Sequence, residues 1–359
     1  MGTHRTNLFG LDRAALVEHV GRHGAPAFHG GQIYRWLYAR RVWDPGLWTD
    51  LPRALRERLL EDAAVETGSL GSRAAAKDGT VKYRAELAGG SSVESVYMEH
   101  SGRVTLCISS QVGCALDCRF CLTGKMGFVR HLSPGEIVGQ VALIQRERRL
   151  ESRPFNVVFM GMGEPLHNYD SVLAAFRILT DAEGFGLSRR RVTLSTAGLV
   201  PGIERLAAEA RRPRLAVSLN ATTDEVRDRI MPINRKYPIQ RLMEACRGFA
   251  GASGERFTFE YVLLAGINDG MDDAARLASL ARGLPVKVNL IPFNAVDGWL
   301  DYRPPARARV NALRDRLLEL GTATSVRWSR GAEARAACGQ LALLPPRQHA
   351  GGAVEAETS

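Results

Sequence analysis

From Val104 onward the chain alternates β-rich runs with helix-patterned stretches, and this rhythm restricts the fold more than any other feature. The predicted strands are Val104–Ser109, Phe155–Gly161, Val192–Ser195, Leu215–Leu219, Phe257–Leu264 and Val286–Ile291. Helices are predicted over Pro134–Arg149, Asp170–Asp181, Gly202–Arg211, Asp224–Ile230, Ile239–Gly251 and Asp272–Arg282. The first starts at Ser133-Pro134-Gly135-Glu136, an N-cap serine with proline in the first turn and glutamate placed to close a capping box. Strands separated by helices cannot pair as hairpins, so they read as parallel neighbours with the helices outside. Six such units imply an α/β fold, a partial (β/α)6 barrel whose site lies at the C-terminal strand ends. A helix at Arg307–Leu320 and a strand near Ser325–Trp328 lead to the last motif.

Residues 1–85 read differently. Leu11–His23, His29–Arg41 and Pro52–Ala64 suggest three short helices, with Tyr34, Trp36, Leu37 and Tyr38 forming a small aromatic core. Arg35, Arg40 and Arg41 interleave with these aromatics. The segment carries 13 Lys/Arg against 9 Asp/Glu, which suits either contact with an RNA backbone or a solvated helix face. A hairpin, Thr80–Leu87 with Ser92–Met98 around Gly89-Gly90-Ser91, is expected next. The division is therefore 1–85 helical and basic, 86–103 a hairpin linker carrying Glu94, 104–342 the barrel, and 343–359 a disordered Pro-, Gly- and Ala-rich tail.

Three cysteines, Cys114, Cys118 and Cys121, stand in a C-x3-C-x2-C spacing just after the first barrel strand. Structural zinc takes four ligands, and neither a second C-x2-C nor an H-x3-H follows, so zinc or plain packing is the weaker alternative. Three thiolates can hold three irons of a 4Fe-4S cluster and leave the fourth iron open to a ligand. This spacing resembles the radical S-adenosylmethionine (SAM) enzymes, in which the open iron binds the amino and carboxylate groups of SAM. Six Cys in 359 residues is too sparse for a disulfide scaffold, and free thiols suit a reducing cytosol. No apolar run reaches membrane-spanning length, and the first residues lack a signal-peptide core. Met1–Thr6 fits the myristoylation pattern only superficially. A net charge of +10 favours a polyanionic partner.

The strand ends carry the remaining candidates. Gly161-Met162-Gly163-Glu164-Pro165 follows the second strand; glycines admit close backbone approach, and Glu164 suits an ammonium group. Ser195-Thr196-Ala197-Gly198, Ser218-Leu219-Asn220 and Ile291-Pro292-Phe293-Asn294 end later strands. Each alone fits ordinary loop capping, but together at strand ends they favour a ligand. Cys338, in Ala336-Ala337-Cys338-Gly339-Gln340-Leu341, and Cys107, on the strand feeding the triad, are either buried packing thiols or nucleophiles beside a radical centre. Cys246 reads as core.

The segments Cys107–Gly139, Gly161–Pro165, Arg191–Gly198, Ser218–Asn234 and Ala336–Leu341 resemble the radical-SAM RNA adenine-C2 methyltransferases, with likeness over roughly residues 6–342. The resemblance implies that Cys114, Cys118 and Cys121 bind the cluster. It implies SAM contacts from Gly163, Glu164, Ser195, Ser218, Leu219, Asn220 and Asn294. It further implies that Cys338 is S-methylated by one SAM and that a second SAM yields the radical that activates this methyl for addition to adenine C2. Glu94 is implied as the proton acceptor, and Cys107 as the thiol that forms a transient disulfide with Cys338. The implied substrates are 23S rRNA and tRNA, the implied electron donor is a flavodoxin, and a cytoplasmic monomer is expected. Several relatives have His where this chain has Asn220, which cannot titrate near neutrality. The chain also lacks the basic C-terminal extension of some relatives.

Three alternatives remain. Adenine-C8 methylation, the antibiotic-resistance activity, would use the same cluster and both accessory cysteines. A non-catalytic iron-sulfur RNA-binding protein would need neither Cys338 nor Glu94, and a glycyl-radical activase would need no basic N-terminal module.

Overall fold

The structure is a computed structural model that describes residues 5–296 and 301–343. The expected tail therefore lies outside the described residues apart from Leu343, as does most of the myristoylation-like start. The N-terminal module begins with β1 (Thr6–Asn7), followed by α1 (Arg13–Arg22), α2 (Phe28–Tyr34) and α3 (Arg53–Asp62). β2 (Ala63–Ala64) returns to pair in parallel with β1. The expected helix at 29–41 is divided: its second half, Arg35–Arg40, is a π-helix that ends where Arg41 turns left-handed at φ 56°. Trp36, Leu37 and Tyr38 are all buried there and pack with Phe9, Tyr34 and Trp48, so the aromatic core exists.

The arginines of this segment are engaged within the chain. Arg35 and Arg13 pair with Glu183, Arg40 lies 4.0 Å above the Trp36 ring, and Arg41 faces the Phe185 ring. Arg13, Arg35 and Arg41 link the module to residues 183 and 185 of the barrel, while Arg40 stays within the module. Contact is close: a Cβ on Gly10, at φ 109°, would sit 2.4 Å from the Gly135 backbone.

Among the described residues the main sheet has ten strands. They are β3 (Ser69–Ala75), β4 (Val81–Glu86), β5 (Ser92–His100), β6 (Arg103–Cys107), β9 (Phe155–Phe159), β10 (Val192–Thr196), β11 (Arg214–Ser218), β12 (Phe257–Leu263), β13 (Val286–Pro292) and β14 (Thr324–Val326). β7 (Gln111–Gly113) and β8 (Phe128–His131) form a separate antiparallel pair. The order is β14-β13-β12-β11-β10-β9-β6-β5-β4-β3. Pairing is parallel from β14 to β6 and antiparallel from β6 to β3. The six β–α units are present, and β14 adds a seventh parallel strand. The helical module ends near residue 62, and 69–100 belongs to the sheet; the boundaries at 85 and 86–103 divide what the ladder joins. β3 was not expected because its Ser-Leu-Gly-Ser-Arg-Ala-Ala pattern is nearly all exposed.

The helices cover the outside. They are α4 (Leu122–Lys125), α5 (Pro134–Glu147), α6 (Tyr169–Thr180), α7 (Val200–Ala208), α8 (Asp224–Ile230), α9 (Ile239–Ser253), α10 (Met271–Ala281) and α11 (Arg307–Glu319). The capping box at Ser133 and Glu136 forms as expected, a device that contributes about 1 kcal/mol. Ile137, Val138, Val141, Ala142 and Ile144 of α5 are fully buried against the sheet. Such burial supplies roughly 1.5–3 kcal/mol for each large aliphatic side chain.

Candidate active site

The three triad cysteines occupy the loop between β7 and β8. The Cys114 N–H donates to the Gly127 carbonyl, the Cys121 N–H to the Cys118 carbonyl, and the Arg119 N–H to Ile230 at the end of α8. This pins a loop too short for regular structure. All three side chains line one cavity at the C-terminal mouth of the barrel, with Phe120 and Glu164. Burial pushes the Cys114 thiol up to about 12, and burial plus neighbouring thiols raise Cys118 and Cys121 as well.

These thiols therefore need a cationic acceptor to ionise. Their arrangement fits a cluster better than one zinc. Among the described residues, the His/Cys/Asp/Glu group whose ligand atoms all lie within 4.8 Å of one another is elsewhere, in the N-terminal module. A mononuclear zinc would draw its sulfurs together at bonds of about 2.3 Å, whereas a 4Fe-4S cluster gives each thiolate its own iron.

Opposite the cysteines stand the strand ends. Gly163, Glu164, Ser195, Ser218, Asn220 and Asn294 all line the same cavity. Gly163 has φ 100°, and a Cβ there would meet Gln111 at 2.6 Å, so glycine is required. Glu164 is buried and accepts from Leu166 N–H at 3.1 Å and Ala197 N–H at 2.8 Å. Burial raises its carboxyl to about 7 against these bonds, which marks a site suited to a cationic partner.

Leu219 departs from the set. It is fully buried and does not line the cavity; its N–H donates to the Glu260 carbonyl. Asn220 sits left-handed at φ 56°, its Oδ1 accepting from Val262 N–H at 2.8 Å and its Nδ2 facing the Met231 sulfur at 3.2 Å. It shapes the loop as much as it faces a ligand, which a neutral amide does without titrating.

Arg227 was missed by sequence reasoning. Its helix reads as an ordinary charged stretch, yet its side chain is fully buried. It donates to Leu219 O, Ala197 O and Ser218 O and to Asn234 Oδ1, tying two strand ends together. Burial lowers its guanidinium to about 10, and it stays charged at neutral pH.

Below this cavity lies a second, larger one of about 1010 Å³ inside the barrel. Cys107 and Cys338 both line it, and Cys338 also lines the upper cavity. The structure thus brings together two cysteines 231 positions apart with Arg327, whose Nη1 is 3.6 Å from the Met160 sulfur. Burial pushes Cys107 up to about 12, with the nearby Cys338 adding and Arg327 opposing. Arg327 is held above its ordinary value, first by Cys338 and further by Glu260 and Cys107. Neither Arg327 nor Glu260 carried a sequence signal; only the sheet places them beside the thiols.

At the N-terminal strand ends the same lumen is ringed by exposed Arg103, Arg214, Arg256 and Lys287. The sequence hides this ring, because its members lie at the starts of different strands or, like Arg256, immediately precede one.

The Cys338 loop is tied on three sides. Asn294 Nδ2 donates to Cys338 O at 3.1 Å, Leu122 N–H donates to Gly339 O at 2.9 Å, and Ala342 N–H donates to Glu94 Oε2 at 3.0 Å. Glu94 is only 3% exposed, so it is no surface residue of a hairpin. Its Oε1 lies 2.7 Å from Lys82 Nζ, an ionic contact off the hydrogen-bonding direction. Glu94 lines neither cavity, and both its oxygens are engaged.

A three-thiol loop at the mouth of an open parallel barrel, facing a Gly-Glu strand end, defines a radical SAM enzyme. Residues 108–278 match the radical SAM superfamily, and residues 6–65 match the ribosomal RNA large subunit methyltransferase N-terminal domain. The chain is 47% identical over 358 residues to a dual-specificity RNA methyltransferase RlmN from Anaeromyxobacter dehalogenans, covering 97% of this chain and 96% of that one. It is 46% identical to one from Pelobacter propionicus, covering 94% and 96%. A radical SAM methyltransferase from Sphaerobacter thermophilus superposes with a TM-score of 0.88 at 41% identity, covering 94% of this chain and 99% of that one. The chain belongs to the RlmN family of radical SAM RNA methyltransferases, enzymes that use a 4Fe-4S cluster and SAM.

Proposed function

We propose that this protein methylates C2 of an adenine in 23S rRNA and in tRNA, with Cys338 carrying the methyl group between two compartments of one barrel. The observation that carries this reading is the position of Cys338 on the wall shared by both cavities. Cys114, Cys118 and Cys121 would hold the cluster, and Glu164 with the strand ends at Ser195, Ser218 and Asn294 would hold SAM. When bound, these groups supply a methyl for the Cys338 sulfur and a carbon radical that takes a hydrogen from that methyl.

The chain's own residues do the rest. Adenine C2 is electron-poor, so it resists methylation by polar attack and accepts a carbon radical carried on Cys338. The base must leave its stack to reach the half-buried Cys338 thiol inside the barrel. The basic ring of Arg103, Arg214, Arg256 and Lys287 would receive the flanking phosphates as the base enters the lumen. Once the methylene joins C2, the adduct would lose one electron and the C2 proton to restore the aromatic ring, the electron returning to the one-electron reductant spent in making the radical. Cys107, on losing its proton, would then attack the Cys338 sulfur, the S–S bond forming, the S–C bond breaking and the product carbon gaining a proton. Loss of the C2 proton needs a base. Glu94 would serve only after the Ala342 N–H withdraws, so Glu94 latches the loop and then accepts the proton. The two electrons that restore the thiols would come from a donor such as flavodoxin. A cytoplasmic monomer fits this role; no helix among the described residues is long and apolar enough to cross a membrane.

Nucleoside mass spectrometry of 23S rRNA and tRNA, treated anaerobically with reconstituted protein, SAM and reductant, tests the assignment. The expected product is 2-methyladenosine with wild type and none with Cys338→Ala. 8-Methyladenosine would refute the C2 assignment, and SAM cleavage without any methylated adenosine would refute the methyltransferase reading for this chain.

A further inference from the structure

We propose that the N-terminal module holds a divalent transition-metal site of its own, built by His19, His23 and Asp62 and suited to zinc. The ligand atoms of these three residues all lie within 4.8 Å of one another. His19 stands in the last turn of α1 and His23, four residues on, is its C-cap, a spacing that brings two imidazoles to one side of the helix end where they can grip one ion. Asp62 is the last residue of α3. Its Oδ1 lies 3.3 Å from His23 Nε2 and 3.6 Å from His19 Nε2. Tetrahedral zinc with bonds of about 2.0–2.1 Å sets its ligand atoms about 3.3 Å apart, so little movement is needed.

The second observation is an unmet need. His19 is 2% exposed, and neither of its ring nitrogens has a hydrogen-bond partner; His23 Nε2 is likewise buried and unpartnered. The two Nε2 atoms, buried beside one carboxylate without a hydrogen bond, cost free energy that a bound cation would recover. The two rings stand 5.4 Å apart, edge to face, so they do not satisfy each other.

Two imidazoles and one carboxylate select a borderline transition ion over calcium or magnesium. Asp62 is half-exposed, which leaves a fourth position for water. The ion would clamp the end of α3 to α1 just before β2 pairs with β1. None of these residues belongs to the barrel site, so the clamp is independent of the cluster and of the function proposed above.

The test uses cluster-loaded protein treated with a chelator, dialysed and titrated with zinc alone. The expected result is one zinc per chain beyond the iron, an X-ray absorption spectrum with nitrogen and oxygen ligands only, and a melting temperature that rises with zinc. His23→Gln and Asp62→Asn should each lose the zinc and the thermal shift while keeping iron and sulfide content. Asp62→Asn, at an exposed helix end, guards against simple misfolding of the first variant. Sulfur in the zinc coordination sphere, no zinc retained by wild type, or equal zinc binding in both variants would overturn the proposal.

Discussion

The two ends of the barrel are built for opposite tasks. The C-terminal mouth is small and lined by three thiols, a buried glutamate and strand-end loops locked by Arg227. The N-terminal lumen is about 1010 Å³ and ringed by four exposed cations, three on separate strands and Arg256 just before a fourth. One end gathers thiols and a carboxylate around a small cavity, and the other gathers cations around a large one. Four residues line both cavities, Met160, Glu260, Ile291 and Cys338, and of these Cys338 carries the thiol, its loop held by bonds to Asn294 and Glu94.

The strongest way to break this comparison is to remove the shared thiol. Cys338→Ala should lower RNA methylation by at least about 10³-fold, as loss of a nucleophile does, while RNA affinity stays unchanged in a gel-shift titration. Cys107→Ala should separate the thiols in time. Methyl transfer to RNA should begin, but a covalent protein–RNA adduct should accumulate, seen as a shifted band on a denaturing gel. The electrostatic half can be sharpened at the lower ring. Arg214→Ala and Lys287→Ala should each weaken RNA binding and lower the slope of log K against log salt by about 1, with RNA-independent SAM cleavage unchanged. The smallest effect concerns pH at the upper mouth. Burial holds Glu164 at about 7, so below that pH it is protonated and should bind the SAM ammonium less well. Equilibrium dialysis should show affinity falling as pH drops through 7, and Glu164→Gln should flatten the profile. In the ligand-free protein the sign is reversed for stability. Its raised pKa makes the glutamate's contribution full below the usual carboxylate range and lost as pH rises toward 7.

Much of this was legible in the chain. The β–α rhythm from Val104 gave the parallel sheet because strand and helix periods differ and the capping box at Ser133 marks a start. The triad spacing and the polar strand ends were readable because neighbours in sequence stay neighbours in a tight loop. Glu94 was legible only through resemblance, and its burial against Lys82 could not be read from a hairpin pattern. The inner boundary of the helical module was misplaced because β3 lacks an apolar face.

By itself the sequence determined the local elements, the cysteine loop and the chemistry available to each strand end, since these depend on spacings of a few residues. Tertiary structure decided which distant groups meet. The pairing order of the sheet put Cys107 and Cys338 on one lumen, set Arg327 beside them, and arranged four separate cations as a ring. It also brought Asp62 to His19 and His23. Contacts between residues tens or hundreds of positions apart follow from packing and sheet register, which local spacing does not encode.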